Sequence, residues 1–422
     1  MVRKPDKNVT MIRRAGALVL AALSLGTMGT APVKALASLP AVMTVPVGQA
    51  VALPWSTFLP ITLAAGPGLQ SRTEGARAAV VASRPGPSSI GFRLFGRIPV
   101  GRVPVRAVVA PKVVPGGQSI GVVVRVRGVV VTGYHVLNGP FGSIDPARAA
   151  GIMPGDRLTS ADGRALTSAA ELMRMAEQAG EHDQSLTLRD AGVRGVTTRV
   201  VKPVYNPVSG HYQIGVYVRT QASGVGTLTF WNPQTLGYAA LGHSITDGLT
   251  ARPAPLRSGS LTAASVLGIV PGTASRPGEK IGVMAGPGLV SGTVRANGRF
   301  GLTGQLDRPP AVGPHTPVPV AMAEQVHPGP ASIETVIAGN RPQRFGIRIL
   351  ATYPQTAPAT KGILFQVTDR RLLARAGGIV QGMSGSPILQ DGKLVGAVTH
   401  VFVGRPDVGY GCYAEWMLQD VP

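Results

Sequence analysis

No long helix can run through a chain that glycine and proline interrupt this often: 56 Gly and 37 Pro stand among 422 residues. In a helix interior each Gly costs about 1 kcal/mol and each Pro about 3 kcal/mol relative to Ala. Between these breaks lie short β-branched runs, such as IGVYVRT and KLVGAVTHVFV. The expected fold is therefore mainly β, with many short strands joined by turns. Hydrophobic residues make up 44%, which excludes a disordered chain. The length fits two to three domains at roughly 100–200 residues each.

Charge excludes less than it first suggests. Lys and Arg number 41 against 20 acidic residues, a net charge of +21. The arginines are scattered, as at Arg125, Arg127, Arg148 and Arg157. No zinc-finger or RNA-recognition pattern accompanies them, so they read as a solvated basic surface rather than a nucleic-acid site. The single Cys412 rules out an internal disulfide and a cysteine metal cluster. HExxH and CxxC are both missing, so neither metal nor cofactor is expected.

Residues 1–38 read as a signal peptide or membrane anchor. Arg3, Lys4, Lys7, Arg13 and Arg14 precede an uncharged stretch from Ala15 to Pro32, and Ala35-Leu36-Ala37 offers a cleavage site. The basic flank places the body of the protein on the exported side. Residues 39–104 read as an extended region with a loop or linker at its centre.

Residues 105–200 carry a different pattern. Asp145-Pro146-Ala147-Arg148-Ala149-Ala150-Gly151-Ile152, then Pro154-Gly155-Asp156-Arg157-Leu158 and Asp162-Gly163, resemble the core of a PDZ domain, an α+β peptide-binding module. Ser119-Ile120-Gly121-Val122 fits that domain's peptide-binding loop. The spacing of apolar residues predicts a helix over 168–179.

Residues 201–422 carry the chemistry. Gly382-Met383-Ser384-Gly385-Ser386-Pro387 resembles the nucleophile turn of chymotrypsin-like serine peptidases, whose fold is a double β-barrel. Such a turn exposes the serine hydroxyl and points the amides of Gly382 and Ser384 at a developing oxyanion. An α/β-hydrolase elbow also has a G-x-S core, but a helix follows it. Here Asp391-Gly392 predicts a hairpin instead. Of seven histidines, His243 is the best base, since it follows a strand-like segment 141 residues before Ser384. His400 reads as a wall of the substrate groove. Asp247, Asp307 and Asp369 all remain open as the third member.

Taken together, the leader, the PDZ-like module, GVGTLTFWNPQTLGYAALGHSITD and IVQGMSGSPILQDGKLVGAVTHVFV resemble the stage IV sporulation protein B peptidases of endospore-forming bacteria. The resemblance implies a serine endopeptidase with His243, Asp369 and Ser384 as its triad. It implies export across the forespore inner membrane into the intermembrane space, and cleavage of the protein itself near its N-terminus. It also implies cleavage of a membrane-bound regulator, which triggers intramembrane processing of pro-sigma-K. The competing expectation is an exported PDZ scaffold on an inactive peptidase fold.

Overall fold

The computed structural model describes residues 42–422 except 57–60, 75–76, 95, 140–141, 193–194, 286–287, 356 and 403. The leader expected over 1–38 lies outside the described residues. No helix among the described residues is long and apolar enough to cross a membrane. The described residues fall into two compact units: 42–111 with 321–326, and 112–320 with 327–422.

The first unit corrects the linker reading of 39–104. A four-stranded sheet joins Met43–Pro46, Ile98–Val108, Gly86–Leu94 and Ile61–Ala65, and a three-stranded sheet joins Ala50–Ser56, Arg77–Ala82 and Leu69–Glu74. Val45, Val51, Val80, Ile90, Phe92 and Val105 form its own core. Gly48, Gly68 and Gly96 occupy turns, while Pro54, Gly91, Gly101 and Pro104 lie within strands.

The second unit is built on two rings of strands. Ring one uses β1 (Ser119–Tyr134), β5 (Val216–Trp231), β6 (Gly237–Leu241), β7 (Leu256–Val270), β9 (Ser291–Gly298) and β10 (Gly301–Leu306). Their pairing runs β1-β7-β9-β10-β6-β5, and β5 pairs back onto β1, which closes the ring. Ile120, Val122, Val124, Leu228, Tyr238 and Leu302 fill it. Ring two is the closed barrel β11 (Gly329–Thr335), β12 (Gln343–Thr352), β13 (Ile363–Val367), β16 (Arg405–Tyr413), β15 (Lys393–Phe402) and β14 (Pro387–Gln390). A mainly β chain with two such rings fits a chymotrypsin-like protease.

The helix-bearing lobe is inserted in ring one between its first two strands. β1 and β5 both run on into this lobe, where β2 (Arg157–Ala161), β3 (Leu186–Gly192) and β4 (Gly195–Val201) complete a sheet in the order β4-β3-β2-β1-β5. The boundary expected at 200/201 therefore does not separate two units. Helix α1 (Ala169–Glu181) begins where the sequence predicts it: Ser168 Oγ accepts from the Glu171 amide at 3.1 Å. Leu172, Met175, Ala176 and Ala179 are its buried face. The Asp162-Gly163 pair takes φ of 45° and 77°, which turns β2 back on itself.

One expected site is overturned by this topology. Ser119, Ile120, Gly121 and Val122 are not a peptide-binding loop. They form the first residues of β1, paired with Thr227–Gly224 of β5 on one side, and from Ile120 with Ala263–Leu261 of β7 on the other. A strand paired on both edges has no amides left to offer a peptide.

Candidate active site

The nucleophile turn is held in place from both rings. Gly382 and Gly385 take φ of 90° and 91°, which glycine alone adopts without strain. A Cβ on Gly385 would come within 2.3 Å of the Thr227 carbonyl and 2.4 Å of the Leu241 amide. From ring one, the Thr227 amide donates to the Ser384 carbonyl at 2.9 Å, and the Thr227 hydroxyl to the Gly382 carbonyl at 2.9 Å. From ring two, the Gly385 amide donates to the Val398 carbonyl at 2.7 Å. β14 follows the turn, and Asp391-Gly392, with φ of 50° and 71°, connects it to β15. A strand rather than a helix after Ser384 eliminates the α/β-hydrolase reading.

Ser384 is half-buried, and its Oγ donates to the Thr399 carbonyl at 3.4 Å. The amides of Gly382 and Ser384 make no hydrogen bond among the described residues. An amide left unpaired at a half-buried turn is rare, because burial without a partner costs about 1–3 kcal/mol.

His243 approaches from ring one. Leu241, at the end of β6, and Gly242 take φ of 74° and 71° and so redirect the chain. A Cβ on Gly242 would meet Thr399 Cγ2 at 2.9 Å, which places this bend against the strand that Ser384 Oγ bonds. His243 Nδ1 lies 3.0 Å from the Ser244 carbonyl, and its ring centroid is 5.6 Å from that of His400. Partial burial, followed by the neighbouring His243 and Lys361, holds the His400 imidazole at about 4. His400 is therefore uncharged at neutral pH. No Ser384–His243 hydrogen bond is formed among the described residues; the serine instead points at Thr399.

The three candidate acids fall elsewhere. Asp247 Oδ1 accepts from the Leu249 and Thr250 amides at 2.9 and 3.1 Å, and its Oδ2 pairs with Arg219, so it organises the loop after His243. Asp307 is exposed. Asp369 is the N-cap of α2 (Arg370–Ala376) and accepts from the Arg371 amide at 2.9 Å. Its carboxylate also accepts from Arg371 Nε and Nη2 at 3.1 and 2.9 Å and from the Gly346 amide at 3.3 Å. The Arg371 guanidinium holds its pKa at about 2. Strand register separates it from the serine. Val398, beside Ser384, lies opposite Gly411, which lies opposite Ile363 at the start of β13. Asp369 follows Val367 at the far end of that strand, about 13 Å further along at ~3.3 Å per residue. The bend that precedes His243 and the turn that carries Ser384 both meet Thr399, while Asp369 stays with Arg371.

Two features escaped the sequence reading. Thr227 and Lys280 both touch the nucleophile turn, and neither carries a motif that announces it. The Ile-Gly-Val of the expected loop also has other copies. That tripeptide occurs at 120–122, 214–216 and 281–283. The copy beside α1 is Ile214-Gly215-Val216. It lines a cavity of about 440 Å³ with His135, Leu172 and Ala176. No cluster of metal-ligating residues occurs among the described residues.

A glycine-flanked serine on one ring and an imidazole on the other, with two amides beside the serine unpaired among the described residues, is an arrangement suited to acyl transfer of the serine-peptidase type. Residues 210–418 match the family model described as SpoIVB peptidase S55, and the chain belongs to that family. No curated protein matches the chain.

Proposed function

We propose that the chain is an exported serine endopeptidase in which Ser384 is the nucleophile and His243 its general base. The observation that supports this most is the pair of unengaged amides flanking a serine whose turn packs on the bend carrying His243. In this reading Ser384 Oγ leaves the Thr399 carbonyl and attacks a peptide carbonyl. His243 Nε2 takes the hydroxyl proton. Nε2 holds the free lone pair when Nδ1–H donates to the Ser244 carbonyl. The oxyanion accepts from the Gly382 and Ser384 amides, and the proton passes on to the leaving amine. Water then enters and the same groups release the acid. The Ser244 carbonyl does the orienting work that a carboxylate does elsewhere, and Asp369 anchors α2.

The test is a fluorophosphonate probe on the purified protein, beside its Ser384→Ala form. Labelling and self-cleavage that both vanish in the variant support the reading. No labelling of the native protein over a wide pH range favours the inactive scaffold.

The family resemblance extends the proposal to biology. The substrate is a membrane-bound sporulation regulator in the space between the sporulation membranes, and its cleavage leads to pro-sigma-K processing. The protein also cleaves itself near its N-terminus, and is either anchored there or released. Mass mapping of that terminus, with and without Ser384, tests the self-cleavage.

The inserted lobe serves as a PDZ-type peptide site. Val216–Arg219 of β5 pair with β1 on one edge only among the described residues, and α1 faces the other edge across the cavity. An extended peptide fits that edge by strand addition.

A further inference from the structure

Lys280 is a buried lysine that forms no ion pair among the described residues, its chain neighbour Glu279 being exposed. It lies on β8 (Glu279–Met284) and is 7% exposed. Its Nζ donates to Ser119 Oγ at 3.2 Å and to Thr335 Oγ1 at 2.9 Å. Ser119 opens β1 in ring one, and Thr335 closes β11 in ring two. Its backbone amide donates to the Gln381 carbonyl at 3.0 Å. Its stem runs along Gly382: a Cβ on that glycine would meet Lys280 Cβ, Cδ and Cγ at 3.2, 3.2 and 3.3 Å. One side chain thus touches both rings and the nucleophile turn.

The charges around it offer no competing explanation. Glu334, next to Thr335, is held by Arg344 at 2.7 Å. Ser119 and the turn itself bring only hydroxyl and amide groups. A buried ammonium with only two hydroxyl partners is costly, and an apolar side chain of the same length packs as well. Burial pushes its amine down to about 7.

We propose that Lys280 is a positioning residue, a brace whose two hydroxyl bonds fix its stem against Gly382 and thereby aim the Gly382 amide at the oxyanion. This rests on the assignment of Ser384 as nucleophile. Gly382 sits at a positive φ with no side chain of its own, so whatever packs on it decides where its amide points.

The test uses the full chain and a fluorophosphonate probe, with the maximal labelling rate separated from the probe's binding constant. Lys280→Met keeps the stem and removes the bonds. It should lower the maximal rate about tenfold, less than the 10²–10³ lost with an entire oxyanion donor, and leave probe binding unchanged. Its melting temperature should be equal to or above that of the native protein. A folded Lys280→Met that labels at the native rate overturns the brace. Thr335→Val, which deletes one hydroxyl and leaves the lysine, carries the same test if Lys280→Met does not fold: a lower maximal rate supports the proposal, and an unchanged one overturns it. Ser384→Ala separates the two claims. If that variant still labels, the nucleophile assignment has failed. If it does not label and Lys280→Met behaves as native, only the brace has failed.

Discussion

Thr227 and Ser384 are tied together across the two rings: the threonine amide donates to the serine carbonyl at 2.9 Å, and the threonine hydroxyl reaches two residues back to the Gly382 carbonyl at 2.9 Å. Thr227 is fully buried. Thr227→Val keeps its shape and deletes the hydroxyl, leaving a carbonyl without its donor. The expected loss is ~1–3 kcal/mol of stability, read by denaturant unfolding, with slower fluorophosphonate labelling. Unchanged stability and labelling would mean that the turn holds itself.

Gly385→Ala is expected to abolish labelling. The new methyl group would sit between Thr227 and Leu241 of ring one at 2.3–2.4 Å, at a φ of 91°. Overpacking of this kind costs ~1–3 kcal/mol, and the backbone strain adds ~1–3 kcal/mol more. Circular dichroism on the same sample separates a displaced turn from an unfolded protein.

Ser386→Ala should have the opposite sign. The Ser386 Oγ is buried with no partner among the described residues. Removing an unsatisfied hydroxyl is neutral to stabilising, by up to ~1 kcal/mol. Thermal unfolding reads this directly, and a clear drop in melting temperature would reveal a bond the hydroxyl makes.

Asp369 separates two accounts of the base. Asp369→Asn retains a capping side chain and loses the charge that Arg371 engages. Because the native carboxylate titrates at about 2 against an ordinary 3.8, the native protein's stability advantage over this variant is fully present above about pH 4 and is lost as pH falls through about 2. Peptidase activity should stay within a few-fold of native. A loss of roughly 10⁴ is the signature of a triad acid, and would return Asp369 to that role.

The lobe cavity offers a separable effect. Ala176→Phe fills the space beside Ile214 and Val216. Peptide capture by the lobe, measured by phage-display panning on the purified protein, should disappear while fluorophosphonate labelling of Ser384 persists. Captured peptides that still bind the variant would place recognition elsewhere.

Features encoded within a few neighbouring residues were legible in the sequence. The apolar spacing of α1, the Asp391-Gly392 turn and the glycines around Ser384 are each a local pattern with one physical solution. The place of His243 just after β6 was legible too, since a strand end is read from its immediate neighbours. The illegible features depended on long-range pairing. Ile120-Gly121-Val122 and Ile214-Gly215-Val216 are the same tripeptide, and only the strands beside each decide which faces a cavity. Asp369 looked available because its separation from the serine is set only by the register of β13 against β16 and of β16 against β15. Lys280 had no local signature, because its partners lie 161 and 55 residues away.

β1 and β5 each run 16 residues, from the ring that carries the nucleophile's support into the lobe that carries the cavity. A protein assembled this way offers no tether for limited proteolysis to cut between its working parts, and neither part can be shuffled into another gene as an independent cassette. Cutting at residue 200 would remove β1 and open ring one. The same continuity makes β5 a single lever: strain applied at Val216 by an added strand has only the β-bulges between Tyr217 and Gln221 to absorb it before it reaches Thr227.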